Sequence, residues 1–244
     1  MQDAEVAPGD RIVEIGAGFG SLTVALAAAG CRVLALETDR RLVLALREVV
    51  ATSADVRVEQ VDAMRADWAA LLDPPEGWAT VSNLPYNISI PLVLDLLEHV
   101  SAIARYLVMV QREVGERLVA KAGDDAYGAV SVRVAYRADA ALVRRVPAEV
   151  FWPRPKIDSV LVRIVPHPPS VDTDPAALFR VVDEGFAERR KTMANALRRL
   201  GLDVEESADV MREAGLDARA RAERLGLEDL ARITRSLLAK GWSP

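Results

Sequence analysis

The sequence predicts an α/β protein in which a mostly parallel sheet precedes a small all-helical domain. The first two-thirds of the chain alternate short β-rich runs with helical patterns, which is typical of a parallel sheet covered on both faces. Closely spaced glycines follow the first predicted strand. A stretch rich in Pro, Ser and Asp, residues 166–175, precedes a region with helical patterns only, as a linker between domains would.

Five predicted strands and four predicted helices alternate in the first 111 residues. The strands are 11–15, 32–36, 56–61, 79–83 and 106–111, and the helices are 22–29, 40–51, 66–72 and 91–99. Residues 130–136 and 160–165 alternate apolar and polar side chains, so we expect two antiparallel strands that complete the same sheet. The predicted domains are therefore 1–168 and a helical domain over 171–244.

Composition is that of a cytoplasmic protein without a metal site. The chain has 244 residues, 51% of them apolar, which suffices for one large or two modest domains. Its N-terminal residues are acidic and no apolar run reaches about 18 residues, so we expect neither a signal peptide nor a membrane span. The chain has a single cysteine, Cys31, so a disulfide within the chain is impossible. Its two histidines are isolated, and we therefore expect no metal centre.

The charge is uneven along the chain. The formal net charge is −5, which is a weak argument against a nucleic-acid partner. Residues 1–102 contain 7 basic and 15 acidic residues, whereas residues 103–169 contain 11 basic and 7 acidic residues. The basic middle segment permits contact with a polyanion but does not require it.

The segment EIGAGFG, residues 14–20, indicates a ligand loop after the first strand. Glycines between a strand and a helix allow the backbone to approach a ligand at the carboxyl edge of a sheet. In the dinucleotide fingerprint G-x-G-x-x-G the third glycine would stand where this chain has Ser21, and Gly20 comes one residue early. The spacing therefore favours a nucleoside ligand without a pyrophosphate.

Two carboxylates follow the next two strands. Glu37 ends the second strand and can accept hydrogen bonds from both hydroxyls of a ribose, and Asp62 follows the third strand and can accept from an adenine amino group. Either carboxylate alone would more often be a helix cap. Because the carboxyl ends of parallel strands share an edge, the glycine loop and the two carboxylates together favour a ligand site.

The tetrapeptide Asn83-Leu84-Pro85-Tyr86 ends the fourth strand and predicts a binding site for a flipped-out base. The lone pair of an adenine amine is delocalised into the ring, and acceptors placed on its N–H groups favour a pyramidal, nucleophilic nitrogen. The Asn83 side-chain oxygen is one such acceptor, and a backbone carbonyl near Pro85 is the second. Tyr86 offers a flat face to the purine, where stacking is worth about 1–3 kcal/mol. In isolation, such a tetrapeptide would be a rigid loop with a surface tyrosine.

These segments together resemble the ribosomal RNA adenine N6,N6-dimethyltransferases of the small subunit, in particular the bacterial kasugamycin-sensitivity methyltransferases. The resemblance runs from Ile12 to about Leu200. The segments that carry it are E-x-G-x-G-x-G from Glu14, Glu37, Asp62-Ala63, NLPYNIS from Asn83, QREV from Gln111, Tyr127-Gly128, F-x-P-x-P-K-x-D-S-x-V from Phe151, and F-x-x-RRKT from Phe186. Members also carry a segment before the first strand that helps to enclose the cofactor, and in this chain that strand begins about ten residues after Met1.

The resemblance implies a Rossmann-like methyltransferase sheet with S-adenosylmethionine as cofactor. It implies dimethylation of the N6 amines of two adjacent adenines near the 3′ end of 16S ribosomal RNA, by direct in-line methyl transfer, with the helical domain docking on the small ribosomal subunit. The implied cofactor-binding residues are Glu14, Gly16, Ala17, Gly18, Glu37, Asp62, Ala63 and Asn83. The implied catalytic residues are Asn83, Leu84, Pro85, Tyr86 and Phe151, of which Phe151 would close over the base opposite Tyr86.

Basic residues in two segments are candidates for RNA contact. They are Arg144, Arg154 and Lys156 near Phe151, and Arg189, Arg190 and Lys191 in the helical region. Each Lys or Arg on a phosphate would add to the salt dependence of binding. Acidic neighbours such as Glu184 and Glu188 support the alternative that the second group is a solvated helix face with ordinary ion pairs. We expect a monomer.

Three other functions are compatible with parts of the pattern. A macrolide-resistance methyltransferase of large-subunit RNA shares the chemistry, but its tetrapeptide more often has Ile after the Asn. A non-catalytic assembly or transcription factor would keep the fold for RNA binding, against which the intact tetrapeptide and Glu37 argue. A nicotinamide oxidoreductase is disfavoured by the position of the third glycine and by the lack of an evident acid for hydride transfer.

Overall fold

The computed structural model describes residues 2–188 and 190–244. Contacts divide the chain into two compact units. The first consists of Met1–Gly115 and Ala138–Pro166, and the second of Glu116–Arg137 and His167–Pro244. None of the helices in these described residues is long and apolar enough to cross a membrane.

A seven-stranded sheet forms the centre of the first unit. Its strands are β1 (Arg11–Ile15), β2 (Arg32–Glu37), β3 (Val56–Gln60), β4 (Trp78–Asn83), β5 (Ile103–Gln111), β6 (Ala138–Val146) and β7 (Ser159–Pro166), in the order β3-β2-β1-β4-β5-β7-β6. The first five strands run parallel, β7 is antiparallel to β5, and β6 is antiparallel to β7. The predicted α/β class is confirmed.

A helix follows each of the parallel strands. The helices are α1 (Ser21–Ala28), α2 (Arg40–Val49), α3 (Trp68–Leu71), α4 (Ser89–His99) and α5 (Arg112–Val119), and α5 spans the boundary between the units at Gly115. The Asp39 side chain accepts a hydrogen bond from the Arg41 amide at 2.8 Å and so caps the first turn of α2. Val43 and Leu46 on the inner side of α2 are buried.

The central parallel strands are buried because helices and loops cover both faces of the sheet. In β1, Ile12 and Val13 are fully buried, although they point to opposite faces. Ile12 belongs to a cluster with Leu26 of α1 and Leu46 of α2. This burial on both faces fixes the positions of the strand ends, and the loops that follow β1, β2, β3 and β4 emerge together at the carboxyl edge of the sheet.

The prediction of a strand at residues 130–136 is wrong, because this segment is the helix α6 (Ala129–Arg137). Val132 and Tyr136, one helical turn apart, are buried in the core of the second unit. The Arg133 side chain bonds Asp183 at 2.9 Å and lies over the Phe179 ring at 4.4 Å. Tertiary packing on two sides thus overrides the strand preference of β-branched residues. The antiparallel edge strand is β6, which follows α6 directly.

The second unit is all helical over its described residues. Besides α6 it contains α7 (Pro175–Ala187), α8 (Met193–Arg198), α9 (Val204–Glu213) and α10 (Leu227–Ala239). Asp174 caps α7 by accepting from the Ala177 amide at 2.7 Å, with Pro175 at the first position. Leu178, Val181 and Ile233 are fully buried in its core. The helical pattern predicted beyond residue 171 agrees with these helices.

The two units divide the chain differently from the predicted ranges 1–168 and 171–244. Residues 116–137 lie within the first predicted range, yet they group with the C-terminal helices. The physical reason is the α6 helix, whose apolar side is completed by α7 and α10. A sequence-local linker could be predicted, whereas an inserted helix that completes a distant core could not.

Candidate active site

A cavity of about 440 Å³ lies at the carboxyl edge of the sheet. This volume is within the usual range for small-molecule sites. Its walls come from the ends of three neighbouring strands and from the segment after β4. The lining residues are Ile15, Gly16, Leu36, Glu37, Thr38, Val61, Asp62, Ala63, Pro85, Asn87 and Ile88. The structure thus brings five of the predicted site residues, Gly16, Glu37, Asp62, Ala63 and Pro85, to one hollow.

The glycine loop lies against the tetrapeptide. The amides of Gly16 and Ala17 both donate to the Leu36 carbonyl, at 2.9 and 3.1 Å, which fixes the loop beside β2. Gly16 has φ +77°, and a Cβ added there would lie 3.2 Å from Cδ of Pro85 and 3.7 Å from the carbonyl oxygen of Asn83. Only a residue without a side chain allows the loop to approach the tetrapeptide this closely.

The Glu37 carboxylate is buried and held by backbone amides. Oε1 accepts from the Thr38 and Asp39 amides at 2.7 and 3.0 Å, and Oε2 accepts from the Gly18 amide at 2.9 Å. A carboxylate has about four acceptor positions. Oε2 therefore keeps a lone pair for a hydroxyl in the cavity, and Gly18, which does not line the cavity, acts on Glu37.

Asp62 reaches the same cavity from β3. Its Oδ1 accepts from the Met64 amide at 3.0 Å, so the side chain caps a single turn of 3-10 helix over Ala63–Arg65. The residue is exposed, whereas Ala63 is buried beside it. The helix-cap reading and the ligand reading are both compatible with this geometry, because the cap uses one carboxylate oxygen.

Glu14 lies away from the cavity. Its side chain is buried and accepts a hydrogen bond from Thr23 Oγ1 at 2.6 Å, which joins the end of β1 to α1. Burial raises the pKa of Glu14 to about 7, against the smaller opposite effect of the Thr23 hydrogen bond. In this structure Glu14 thus ties the strand before the glycine loop to the helix after it.

The tetrapeptide holds its backbone in a fixed turn. The Leu84 side chain is buried and its amide donates to the Met109 carbonyl at 3.1 Å. The Pro85 carbonyl accepts from the Ile88 amide at 3.2 Å, which closes the turn. Asn83 is exposed at the end of β4. The exposed Asn83 side chain therefore offers its amide oxygen as an acceptor at this rim.

Tyr86 is tied to the last strand pair of the sheet. Its hydroxyl shares a hydrogen bond of 3.1 Å with Ser159 Oγ, and its carbonyl accepts from Ser89 Oγ at 3.2 Å. Ser159 is fully buried at the start of β7, where it pairs with Gln111 and Val146. The ring is therefore fixed at one end and half-buried.

Phe151 lies in the loop between β6 and β7, residues 147–158. Because Val146 pairs with Ser159, this loop leaves the sheet at the same edge as the tetrapeptide. Phe151 is half-buried and does not line the cavity. Its predicted place opposite Tyr86 remains a prediction.

The comparison with known proteins identifies the family. A family model described as "Ribosomal RNA adenine dimethylase" matches residues 1–238. This chain belongs to that family. It is therefore an S-adenosylmethionine-dependent methyltransferase, and its cofactor is S-adenosylmethionine.

Relatives within this family match nearly the whole chain. The "Ribosomal RNA small subunit methyltransferase A" of Moorella thermoacetica is 42% identical over 244 residues, covering 96% of this chain and 85% of its own. The protein of the same name from Thermobifida fusca is 42% identical over 236 residues, covering 96% and 82%.

Two solved structures of methyl-transferring enzymes share the fold. A dimethyladenosine transferase from Plasmodium falciparum superposes with a TM-score of 0.82 and 24% identity, over 98% of this chain and 94% of that chain. The 23S rRNA methyltransferase ErmE superposes with a TM-score of 0.71 and 24% identity, over 97% and 94%. At these identities the likeness establishes the fold alone.

The cavity suits the family's cofactor because of the hydrogen-bond acceptors around it. A buried carboxylate with a spare lone pair (Glu37), an exposed carboxylate (Asp62) and a glycine cradle at Gly16 stand around one space. A nucleoside presents ribose hydroxyls and an adenine amine, and both need acceptors. No cluster of His, Cys, Asp or Glu in the described residues could hold a metal ion.

The predicted RNA-contact residues of the first unit are partly engaged in ion pairs. Arg144 bonds Asp3 at 3.0 Å and Arg154 bonds Glu149. Lys156 is exposed and makes no salt bridge with any described residue. These pairs are exposed and worth little individually, so they can exchange for phosphate contacts.

The predicted RNA-contact residues of the second unit lie between α7 and α8. Arg190 and Lys191 are exposed, and Arg189 lies outside the described residues. Lys191 lines a separate cavity of about 380 Å³ with Asn195 and Arg198. Arg199 lies at the same cavity but is paired with Glu184 at 2.8 Å.

Some cavity and support residues escaped prediction from the sequence. Thr38, Val61, Asn87 and Ile88 line the cavity. The first three flank residues that were predicted, and Ile88 lies two positions after Tyr86, so proximity along the chain was the available signal. Ser159 lies in a segment quoted for the resemblance, but nothing in the sequence tied it to Tyr86. Thr23 gave no signal, because its partner is known only once α1 packs on β1.

Proposed function

We propose that this enzyme dimethylates the N6 amines of two adjacent adenines near the 3′ end of 16S ribosomal RNA, by direct in-line methyl transfer. The single observation that carries the proposal is the convergence of Glu37, Asp62, Gly16 and Pro85 on one cavity. A nucleoside-type site and an amine-orienting tetrapeptide then share a rim, which methyl transfer to a base requires.

We assign the nucleoside part of the cofactor to the cavity. S-adenosylmethionine supplies a methyl group made electrophilic by its sulfonium. Oε2 of Glu37 would accept from a ribose hydroxyl, while the amides of Gly18, Thr38 and Asp39 hold the carboxylate in place. Asp62 would accept from the adenine amine through the oxygen that does not cap Met64.

The target amine would be held by two oxygens at the end of β4. Asn83 Oδ1 and the Leu84 carbonyl would each accept one N–H, which favours a pyramidal nitrogen whose lone pair is free to attack. No strong base is needed, because the nitrogen becomes acidic once it is alkylated. Positioning of the two reactants accounts for most of the rate, as in other two-substrate reactions held in near-attack geometry.

Aromatic side chains would hold the extruded base. Tyr86, anchored through Ser159, offers one face, and Phe151 in the 147–158 loop would close from the other. Extruding a base costs a few kcal/mol, and stacking worth about 1–3 kcal/mol per base offsets much of that cost.

The small ribosomal subunit is the proposed substrate because the relatives that match nearly the whole chain are named as small-subunit methyltransferases. Proteins called small-subunit methyltransferases match 96% of this chain at 42% identity. We propose that the basic residues near Phe151 and those between α7 and α8 contact RNA phosphates, and that the helical unit docks on the small ribosomal subunit. We further propose that the enzyme acts in the cytoplasm as a monomer, which sedimentation would test.

A transfer assay on isolated subunits tests the function. The enzyme is incubated with labelled S-adenosylmethionine and either small or large ribosomal subunits from cells that lack this gene, and modified nucleosides are mapped by mass spectrometry. We expect dimethyladenosine at two adjacent positions near the 3′ end of small-subunit RNA, at the sites restored when the gene is returned to the cells.

The same assay separates the rival functions. Label in large-subunit RNA would point to a resistance-type methyltransferase. Binding of small subunits without transfer of label would point to a non-catalytic assembly factor. Calorimetry with S-adenosylhomocysteine and NAD, of which only the first should bind, checks the cofactor independently.

A further inference from the structure

Two aromatic side chains are strongly exposed, and both lie on loops at the carboxyl edge of the sheet. Trp152 is 98% exposed and Phe19 is 71% exposed. The other ten aromatic residues are buried or half-buried. Phe19 lies in the glycine loop after β1, and Trp152 lies in the 147–158 loop beside Phe151. A tryptophan with nearly all of its surface in water gains nothing for the fold of this chain, so its surface is available to a partner.

The loop that carries Trp152 is fixed at its base. Asp158 accepts from the Ala148 amide at 3.0 Å and from Arg145 Nε at 2.9 Å, and these bonds lower the pKa of its carboxyl group. Val146 pairs with Ser159 immediately beyond this point. The loop is therefore closed at both ends, and Trp152 is presented from its outer part on a defined support.

The surroundings of Trp152 favour a nucleic acid as the partner. Lys156, four residues further along the same loop, is exposed and makes no salt bridge with the described residues. Ser159, which follows the loop at the start of β7, bonds the tetrapeptide residue Tyr86. An exposed aromatic face and an unpaired cation on one loop are the combination that single-stranded nucleic acids bind, by stacking and phosphate contact.

We propose that Trp152 stacks on a base of the RNA next to the target adenine, outside the site that receives the flipped base. The inference rests on the proposed RNA methyltransferase function and adds a second point of contact to it. Trp152 would hold the flanking nucleotide while the target adenine enters between Tyr86 and Phe151. Because this contact exists before and during methyl transfer, it should affect RNA binding more than the chemical step.

Kinetics on small subunits test this role. Trp152→Ala should raise KM for the subunit about 5- to 150-fold, the factor that corresponds to the loss of about 1–3 kcal/mol of stacking, and should change kcat by less than about threefold. Trp152→Phe keeps a stacking face and should recover most of the affinity. Leu44→Ala removes another exposed apolar side chain, on α2, and should leave both constants unchanged.

Tryptophan fluorescence gives a readout that does not depend on turnover. A synthetic RNA hairpin with adjacent unpaired adenines in its loop should quench the fluorescence of the wild type and of Trp242→Phe. Trp152→Phe should lose most of this quenching. Wild-type KM for Trp152→Ala, or full quenching in Trp152→Phe, would overturn the proposal.

The two assays also separate failure of this inference from failure of the proposed function. An enzyme that methylates small subunits equally well with Ala at position 152 keeps the function and loses the inference. If the wild type transfers no methyl group to any subunit, the function fails. Quenching through Trp152 then decides whether this loop stacks on RNA.

Discussion

At the scale of single residues, the site depends on acceptor atoms whose lone pairs are already partly used. The Glu37 carboxylate accepts hydrogen bonds from three backbone amides and has one acceptor position left on Oε2. Asp62 Oδ1 accepts from the Met64 amide, and its other carboxylate oxygen is left to accept from a ligand. Asn83 is exposed at the rim. The Glu37 and Asp62 side chains are thus oriented by the protein before a ligand arrives, which limits the entropy lost on binding.

Asn83→Ala is expected to lower kcat for methyl transfer by about 10²- to 10³-fold, the usual loss when one oriented polar group at the reacting atom is removed. The affinity for S-adenosylhomocysteine should change by less than about threefold, because the proposed site places the nucleoside part against Glu37 and Asp62. Single-turnover transfer to small subunits and calorimetry measure the two quantities. Normal transfer by this variant would contradict the amine-holding role.

Glu14 predicts a pH dependence of stability. Its pKa is about 7 in the folded protein and 4.5 ordinarily, so the unfolded chain loses this proton at lower pH than the folded chain. Glu14 therefore costs stability progressively as pH rises from about 4.5 to about 7, and the cost is constant above that. Glu14→Gln, which can still accept from Thr23, should match the wild type near pH 4.5 and exceed it by up to about 3 kcal/mol at pH 8.

Urea unfolding at pH 4.5, 6, 7 and 8 measures this difference. Glu48→Gln removes an exposed carboxylate on α2 and serves as the control, whose stability should run parallel to that of the wild type. A constant offset between Glu14→Gln and the wild type at all four pH values would contradict a protonated, buried Glu14.

At the scale of elements, the glycine loop and the tetrapeptide form one packed unit. Gly16→Ala combines a left-handed backbone with a 3.2 Å approach to Pro85, whereas Gly18→Ala has φ +57° and nothing within 4 Å. The two variants differ in the contact with Pro85, so their comparison isolates it. Gly18→Ala carries only backbone strain, about 1–2 kcal/mol.

We expect Gly16→Ala to weaken binding of S-adenosylhomocysteine at least tenfold more than Gly18→Ala does, because the loop must move away from Pro85 and the cavity changes shape. Calorimetry gives the two affinities, and urea unfolding gives the accompanying loss of stability. Equal affinities in the two variants would mean that the loop adapts without disturbing the cavity.

Strand ends were the part of the structure that sequence predicted well. The predicted bounds of β1 to β4 agree within one residue with the observed ones, because apolar runs between loop residues are local signals. The meeting of Glu37 and Asp62 at one cavity followed from the rule for parallel strands. The Tyr86–Ser159 hydrogen bond joins residues 73 positions apart, and no local pattern contains such a contact.

The segment 129–137 shows where local pattern is insufficient. Val130, Val132, Val134 and Tyr136 alternate with polar or small residues, and this period fits a strand. The structure instead buries Val132 and Tyr136 on one side of a helix, and Val134 is buried as well. When a segment is covered on more than one side, apolar residues occur at nearly every spacing, and the period no longer distinguishes helix from strand.

At the scale of the whole molecule, the chain passes between its two units three times, after Gly115, Arg137 and Pro166. The helical unit is therefore built from an inserted segment and a C-terminal segment. A cut at the linker after residue 166 removes most of this unit but leaves α6 without the helices that cover it.

Val132→Ser should consequently have opposite effects in two contexts. In the full chain it should lower the free energy of unfolding by about 2–4 kcal/mol, because a fully buried apolar side chain is replaced by a smaller polar one. In a fragment of residues 1–166 it should raise the soluble fraction, because Val132 has lost its cover. Val49→Ser, at a half-exposed position of α2, should change neither quantity. If Val132→Ser lowered both the stability of the full chain and the soluble fraction of the fragment, the division of the chain would be contradicted.

The interrupted second unit has a consequence for synthesis on the ribosome. α6 is translated before β6 and β7, but α10, which helps to cover it, ends about 100 residues later. At elongation rates of about 5–20 residues per second, the apolar side of α6 stays uncovered for roughly 5–20 s. A nascent chain of this enzyme should therefore be a client for holdase chaperones during that interval, and silent codon changes that slow elongation between α6 and α10 should lower its yield.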